Sequence, residues 1–388
     1  MPIRPSIAVP LALFAILAGP RPSALAEAKA REFSGELQLL NRVVACRSND
    51  APMPADWQPV VERHCKRLSE VMTKFRTRYV DRATPFLAKL KPARLPNRVV
   101  YPFGGGDLVS ALVTYPEAVE VTTMSLEHAG DPTRLEGLSA RALDKALRQQ
   151  RRVMAGLLTL HDSTTVNLQT SQRGPLPGQL SFFLVGLAAL DYEVTGLRYF
   201  KLNDDGTVHY YSAAEVSALD DNVAKRTKRN AIQVDHSLVF SNSELVFRKA
   251  GKRAVHRHMA ANLDNGHFAD SPLSKHIKAK GEVVALTKAA SYLLWMNAFS
   301  AVRDYLLENA VFMVSDSSGI PPRYARKAGL VQTTYGRFTG PFLNASKVHG
   351  QAFFDLWKQQ PRRKLPFRYG YPDSSGNIHM LVTQRPGK

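Results

Sequence analysis

Charged residues that could perform acid–base chemistry follow apolar, strand-like segments at four places in the sequence. Asp107, Glu127, Lys288 and Asp316 each stand just beyond such a segment. Open α/β folds bind ligands outside the carboxyl ends of their strands, so the four side chains are expected around one cleft. We therefore predict them as catalytic candidates. Further ligand-contact candidates are Gly104, Gly105, Gly106, Ser317, Ser318 and Arg303.

The glycines before Asp107 lie between a predicted strand and a predicted helix, as in a nucleotide-binding β-α-β unit. Their spacing is not G-x-G-x-x-G, and Asp107 would place a negative charge where a phosphate should sit. We therefore predict no cofactor. Two roles stay open for Asp107, namely ligand binding and capping of the next helix.

The loop Asp316-Ser-Ser-Gly-Ile-Pro-Pro322 combines hydroxyl groups, a glycine and two prolines after an apolar strand. Asp316 could act as a metal ligand or a base, and Ser317 or Ser318 as a nucleophile if a histidine approaches. A purely structural turn is the alternative, and the G-x-S-x-G elbow of α/β hydrolases is absent. Lys288 could bind an anion, form a polar catalytic cluster with Ser291 and Tyr292, or stay exposed. The pairs Glu127-His128 and His161-Asp162 could be acid–base pairs, metal ligands or solvated pairs, and we commit to no metal site.

The elements that must position these residues indicate an α/β fold. Strand-like and helical segments alternate over 98–202 and 281–388, which predicts a mostly parallel, Rossmann-like sheet with flanking helices. Residues 27–97 are predicted as an N-terminal helical segment. Residues 203–280 are predicted as a basic, β-rich insertion with a hairpin turn at Asn203–Gly206, and Ile378–Thr383 as an edge strand.

The first 26 residues have the layout of a secretory signal peptide. Arg4 precedes an apolar run over 7–18, and small residues end at Ala26. That run would span only about 18 Å, which is too short to cross a bilayer. We expect cleavage after Ala26 and a periplasmic or secreted protein. Cys46 and Cys65 are the two cysteines in the chain and are expected to form a disulfide in such a compartment.

The chain is strongly basic, with a formal net charge of +19. Basic residues concentrate in Lys225–Arg229 and His256-Arg-His258. This charge would attract an anionic cell-envelope polymer or a lipid surface, with nucleic acid a less expected partner. A general solubilising charge is the other interpretation.

Several blocks together resemble a poorly characterised family of bacterial proteins. They are Tyr101–Asp107, Lys288–Leu294, Phe299–Asp304, Asp316–Pro321 and Tyr335–Arg337. The resemblance extends over about residues 98–383 and implies that these blocks belong to one domain. It implies no catalytic role, because we know of no activity for that family.

Two classes of function follow from the sequence. The first is an exported hydrolase or transferase with its site at the carboxyl ends of the strands. The second is a noncatalytic envelope-associated protein that binds anionic polymer or lipid through residues 225–229 and 248–258. The sequence does not specify a substrate for either.

Overall fold

The computed structural model of the protein describes residues 29–160, 174–223, 238–340, 347–370 and 378–387. Three sequence predictions lie outside these residues. They are the signal peptide over 1–26, the pair His161-Asp162 and the basic run Lys225–Arg229.

Ten strands form one sheet with the order β4-β3-β5-β6-β2-β1-β7-β8-β10-β9. The strands are β1 (Arg98–Pro102), β2 (Glu120–Ser125), β3 (Glu193–Leu202), β4 (Val208–Tyr210), β5 (Asn242–Lys249), β6 (Lys252–Ala260), β7 (Val283–Thr287), β8 (Ala310–Ser315), β9 (Val331–Arg337) and β10 (Ile378–Gln384).

The prediction of a mostly parallel, Rossmann-like sheet is wrong, because most neighbouring strand pairs are antiparallel. Only the five central strands, from β6 through β2, β1 and β7 to β8, run parallel. Antiparallel pairs extend the sheet on both sides. Strands β5 and β6 form a hairpin whose two turn residues, Ala250 and Gly251, have φ of 48° and 78°. Apolar runs predict strands but not their direction, which such turns decide.

Residues 203–280 contribute β4, β5 and β6 to the same sheet that contains β1 and β2. The hairpin predicted around Asn203–Gly206 is confirmed, since Phe200 of β3 pairs with Tyr210 of β4 in an antiparallel register. The predicted edge strand near residue 378 is wrong. Strand β10 lies between β8 and β9, so β9 occupies that edge of the described sheet.

Helices cover both faces of the sheet. They are α1 (Ser34–Val43), α2 (Gln58–Phe75), α3 (Asp81–Leu90), α4 (Leu108–Thr114), α5 (Ala140–Ala155), α6 (Gly178–Ala189), α7 (Ala213–Val223), α8 (Asn265–Phe268), α9 (Pro272–Lys278), α10 (Ser300–Asn309), α11 (Pro322–Lys327) and α12 (Lys347–Gln359). Apolar residues of α1 to α6 pack on one face, and those of α8 to α11 pack on the other.

The central strands are apolar on both faces because both faces are covered. In β1, Val99 and Tyr101 enter the core on the α1–α6 face, while Val100 enters the core on the opposite face. After β1 the chain builds β2 and then β6 on one side, and it later builds β7 and β8 on the other. The carboxyl ends of β1 and β7 therefore flank the point where the strand order reverses, which is the ligand-binding position in open α/β sheets.

The N-terminal residues 29–97 contain α1, α2 and α3. The predicted disulfide is confirmed, since Cys46 and Cys65 are bonded and join the end of α1 to α2. In the part of the chain that the structure describes, no helix has the length and apolar character needed to cross a membrane.

Candidate functional site at the carboxyl ends of the central strands

The turn after β1 is tightly packed. The amide of Gly104 donates to the Met124 carbonyl at 3.1 Å, and Gly105 has φ of 49°. A Cβ added at Gly106 would lie 2.7 Å from Gln179 Oε1 and 2.9 Å from Phe182 Cβ. The close approach that Gly106 permits is thus to helix α6, so the structure gives this glycine a packing role.

Of the two roles that the sequence left open to Asp107, capping of the next helix is present, and the second carboxylate oxygen contacts Tyr101 and Lys288. Its Oδ1 accepts the Ser110 amide at 3.3 Å and caps α4. Its Oδ2 accepts the Tyr101 hydroxyl at 3.0 Å and the Lys288 ammonium at 3.3 Å. The helix cap uses Oδ1 and the ion pair uses Oδ2. The hydrogen bond to the first turn of α4 therefore fixes the orientation of the carboxylate that faces Lys288.

Lys288 follows β7 and is only 2% exposed. Its Nζ lies 3.3 Å from Asp107 Oδ2, 3.3 Å from Ser110 Oγ and 5.7 Å from the centre of the Tyr369 ring. Burying an ammonium is expensive unless a charge and hydrogen bonds compensate it. Asp107 supplies that charge, so the prediction that Asp107 and Lys288 meet at one site agrees with their placement.

Asp316 follows β8 and is fully buried. Its Oδ1 accepts the Ser318 amide at 2.8 Å and the Ser318 hydroxyl at 2.5 Å. Among the described residues, its Oδ2 has no hydrogen-bond partner. Burial raises the pKa of Asp316, while the Ser318 hydrogen bonds and the Lys288 charge oppose the rise. The side chain is therefore a carboxyl group that holds its proton more strongly than usual.

Tyr369 is the fourth residue of the site formed by Asp107, Lys288 and Asp316. It is fully buried, and its hydroxyl has no hydrogen-bond partner within the described ranges. Its pKa is raised by burial and by nearby groups that include Asp316 and Asp107. A Cβ added at the next residue, Gly370, would lie 3.1 Å from Asp316 Cβ. We call Asp107, Lys288, Asp316 and Tyr369 the carboxyl-end cluster.

Ser317 has the histidine neighbour that a nucleophilic role requires. His379 of β10 places Nε2 2.8 Å from Ser317 Oγ, and both residues are buried. The contact continues the antiparallel register in which Leu381 of β10 faces Ser315 of β8. The rings of Phe338 and Trp357 lie 4.9 Å and 5.6 Å from the His379 ring.

Two predicted site residues are not joined to the carboxyl-end cluster. Arg303 lies on α10, where NH1 donates to the Leu294 carbonyl at 2.9 Å and the guanidinium stacks 3.9 Å from the Tyr324 ring centre. Glu127 is buried beyond β2, and no hydrogen bond or ion pair connects its carboxylate to the cluster in the described residues.

The backbone of Glu127 belongs to a buried histidine chain. Its carbonyl accepts His258 Nε2 at 2.7 Å, and Thr123 Oγ1 lies 3.0 Å from His258 Nδ1 and 2.8 Å from His256 Nε2. A carbonyl only accepts, so His258 carries its proton on Nε2 and Nδ1 accepts the Thr123 hydroxyl. Burial lowers the pKa of His258 to about 4, which keeps the ring neutral.

Within residues 248–258, three of the five Lys and Arg side chains pair with acids. Arg248 pairs with Glu193 at 2.8 Å, and Lys252 pairs with Glu117 at 2.7 Å. Arg257 belongs to a larger set of paired charges, which we call the charge network and which comprises Arg198, Glu244, Arg257, Glu120 and Lys280. This pairing reduces the positive charge that residues 248–258 present to an anionic polymer.

Within the described ranges, Cys46, His64 and Cys65 bring potential metal-binding atoms within 4.8 Å of one another. The two thiols are used by the disulfide. His64 Nε2 lies 3.0 Å from the Val44 carbonyl, and its Nδ1 lies 2.7 Å from Arg151 NH1. The set therefore keeps no ligand atom available while the disulfide is intact.

Sequence reasoning missed four residues of this region, namely Tyr101, Ser110, Tyr369 and His379. The first two lie in or beside the Gly104–Asp107 block, and the helical spacing from Asp107 to Ser110 was a usable signal. Tyr369 and His379 come from the C-terminal region, whose position beside β8 depends on an antiparallel pairing.

No protein-family model matches the chain, and neither a curated protein nor a solved structure shows significant similarity to it. The fold and site therefore define only a class, an α/β protein with a mixed ten-stranded sheet and a buried polar cluster at its central strand ends. The resemblance to a bacterial family stays a prediction.

Proposed function

We propose that the protein is an exported hydrolase or transferase whose catalytic centre is the carboxyl-end cluster. The observation that carries this proposal is the buried Lys288 ammonium, 3.3 Å from the Asp107 carboxylate and close to a second carboxyl group, Asp316, whose Oδ2 has no partner in the described residues.

The environment of Asp316 supports a functional role for this residue rather than a purely structural one. Burial penalises the ionised form of Asp316 and raises its pKa, and its Oδ2 has no hydrogen-bond partner among the described residues. Perturbed pKa values cluster at active sites, because catalytic groups need pKa values matched to their task. The location at the reversal of strand order gives independent support.

Each cluster residue has a role that fits its contacts. Asp316, with its raised pKa, exchanges a proton with the reacting group as general acid or base. Lys288 stabilises negative charge that develops on a substrate oxygen. Asp107 is a positioning residue, because its cap to α4 and its ion pair hold the Lys288 ammonium in place.

Export rests on the sequence of residues 1–26, and the Cys46–Cys65 disulfide is compatible with it. The natural setting of the reaction would then be outside the cytoplasm. Substrates present in the bacterial envelope or its surroundings are the first to test.

The test is turnover of a panel of chromogenic carboxylic esters, phosphate esters and glycosides by the exported, oxidised protein. We expect one class to be hydrolysed, and Lys288→Met and Asp316→Asn each to lower kcat/KM by about 100-fold or more. Lys280→Met is the matched control. Lys280 is also a buried lysine paired with a carboxylate, that of Glu120, but it precedes β7 instead of following it.

An equal loss in Lys288→Met and Lys280→Met would contradict the proposal, because it would reflect stability and not chemistry. Hydrolysis that is unchanged in Lys288→Met and Asp316→Asn would place the active site elsewhere. Circular dichroism and a thermal melt of each variant establish that it is folded under assay conditions.

A further inference from the structure

Ser317 and His379 form a hydroxyl–imidazole pair beside the carboxyl-end cluster. The 2.8 Å distance between Ser317 Oγ and His379 Nε2 is within the range for a nucleophile and its base. Ser317 is 4% exposed and His379 is 1% exposed, so bulk water does not compete for the contact.

The residues on both sides of Ser317 are anchored by hydrogen bonds or close packing. Ser318 donates both its amide and its hydroxyl to Asp316 Oδ1. A Cβ added at Gly319 would lie 2.6 Å from Ser315 Oγ, and the Gly319 carbonyl accepts Trp295 Nε1 at 3.0 Å. Ser317 is therefore held at a fixed position between two anchored residues, which is how catalytic groups are preorganised.

Two different environments meet at this loop. On one side, the charge of Lys288 acts on the neighbouring Asp316. On the other side, Phe338 and Trp357 pack around the His379 ring and belong to an aromatic cluster with Trp295 and Phe353. A substrate bound across the loop would meet a cation that favours an oxyanion and an apolar wall that favours a hydrocarbon or aromatic group.

We propose that Ser317 is the nucleophile and His379 its general base in the hydrolysis of carboxylic esters with an apolar acyl group. This inference rests on the proposed function and specifies its reaction for carboxylic esters, in which His379 takes the proton-transfer role that the proposed function gives to Asp316. The geometry that carries it is the Ser317–His379 contact on a fixed loop between Lys288 and the aromatic cluster.

The reaction proceeds in two balanced halves. Ser317 Oγ attacks the ester carbonyl carbon while its proton passes to His379 Nε2, and the carbon–oxygen bond to the alcohol then breaks as the alkoxide takes that proton. Water gives a proton to His379 and attacks the acyl group on Ser317. The carboxylic acid leaves, and the proton returns to Ser317 Oγ.

The experiment is covalent labelling of the exported, oxidised protein with an alkyl fluorophosphonate, followed by intact-mass measurement and peptide mapping. The probe phosphonylates an activated serine and releases fluoride. We expect one adduct, on Ser317, with no adduct in Ser317→Ala and at least 100-fold slower labelling in His379→Gln. The control variant is Ser69→Ala, which alters an exposed serine of α2 and should label at the wild-type rate.

Adduct formation on Ser110, which contacts Lys288, would overturn the proposal by assigning another nucleophile. Absence of any adduct on Ser317 in the folded wild-type protein would overturn it as well, and this outcome does not depend on a variant folding. The proposed function would survive both results if Lys288→Met still removed turnover of a phosphate ester or glycoside while Lys280→Met did not.

Discussion

The charge network and the carboxyl-end cluster both bury charge near the central strands, but they satisfy it differently. In the network, Glu244 accepts Tyr210 Oη at 2.6 Å and Arg257 Nε at 2.8 Å, and it also pairs with Arg198. Each of its five charged side chains has an oppositely charged partner. In the carboxyl-end cluster, Asp316 Oδ2 and the Tyr369 hydroxyl have no partner among the described residues.

The pKa values of the carboxylates change in opposite directions. Burial alone would raise the pKa of Glu244, but hydrogen bonds from Tyr210 and the two arginines bring it below the usual value. For Asp316, burial outweighs its partners and the pKa is raised. Ionised Glu244 therefore stabilises the fold, whereas ionised Asp316 destabilises it. The difference separates charge that holds the sheet together from charge available to a ligand.

The largest expected effect comes from breaking the charge network. Glu244→Gln keeps the side-chain volume but removes the charge shared by Arg198 and Arg257, so it should lower the free energy of unfolding by about 3 kcal/mol. We place this value at the lower end of the range for breaking a buried ion pair, because the Arg198 and Arg257 side chains are 24% and 19% exposed. Urea unfolding measures it.

Any enzymatic turnover per folded molecule should be unchanged in Glu244→Gln. A large loss of turnover at full folding would mean that the charge network and the carboxyl-end cluster are not separate in function.

A smaller effect is expected from coupling within single ion pairs. A double-mutant cycle of Lys280→Met with Glu120→Gln should give a coupling energy of about 1–2 kcal/mol, and Lys288→Met with Asp107→Asn about 0.5 kcal/mol. Lys288 is held at 3.3 Å from Asp107 Oδ2 and also contacts Ser110, so its charge is less committed to one partner. Equal coupling in the two cycles would remove the distinction between the regions.

The candidate site was more predictable from sequence than the sheet around it. Asp107, Lys288 and Asp316 follow three neighbouring parallel strands, β1, β7 and β8, so the rule about carboxyl ends applies to them. The rule needs only apolar runs and the residues that follow them, and both are visible in a sequence.

The remainder depends on information that the local pattern lacks. Strand direction at the flanks is decided by turns and by pairing between distant segments, which is why the antiparallel β10 and its His379 were not associated with Ser317. Arg257 was interpreted as surface charge because a strand residue between two histidines gives no sign of the acids Glu120 and Glu244, which come from other strands.

The last expected effect has the opposite sign. Asp316→Asn keeps an acceptor for the Ser318 amide and removes a charge that burial disfavours. We expect the unfolding free energy at pH 7.5 to rise by about 1 kcal/mol, a shift in Tm of roughly 2 °C. Thermal melts of the oxidised protein measure this gain, and a clear loss of stability would contradict the interpretation of Asp316.

The pH dependence of the two variants sharpens the comparison further. Because the folded pKa of Asp316 is raised, the advantage of Asp316→Asn should be complete above that pKa and disappear as the pH falls to about 4, the unfolded value. The folded pKa of Glu244 is lowered, so the deficit of Glu244→Gln should persist to about pH 4.3 and vanish only below it. As the pH falls, the positive Tm difference of Asp316→Asn and the negative Tm difference of Glu244→Gln should both approach zero. The difference for Asp316→Asn should reach zero at the higher pH. Offsets that stay constant from pH 7.5 to pH 3.5 would show that neither carboxylate contributes through its ionisation.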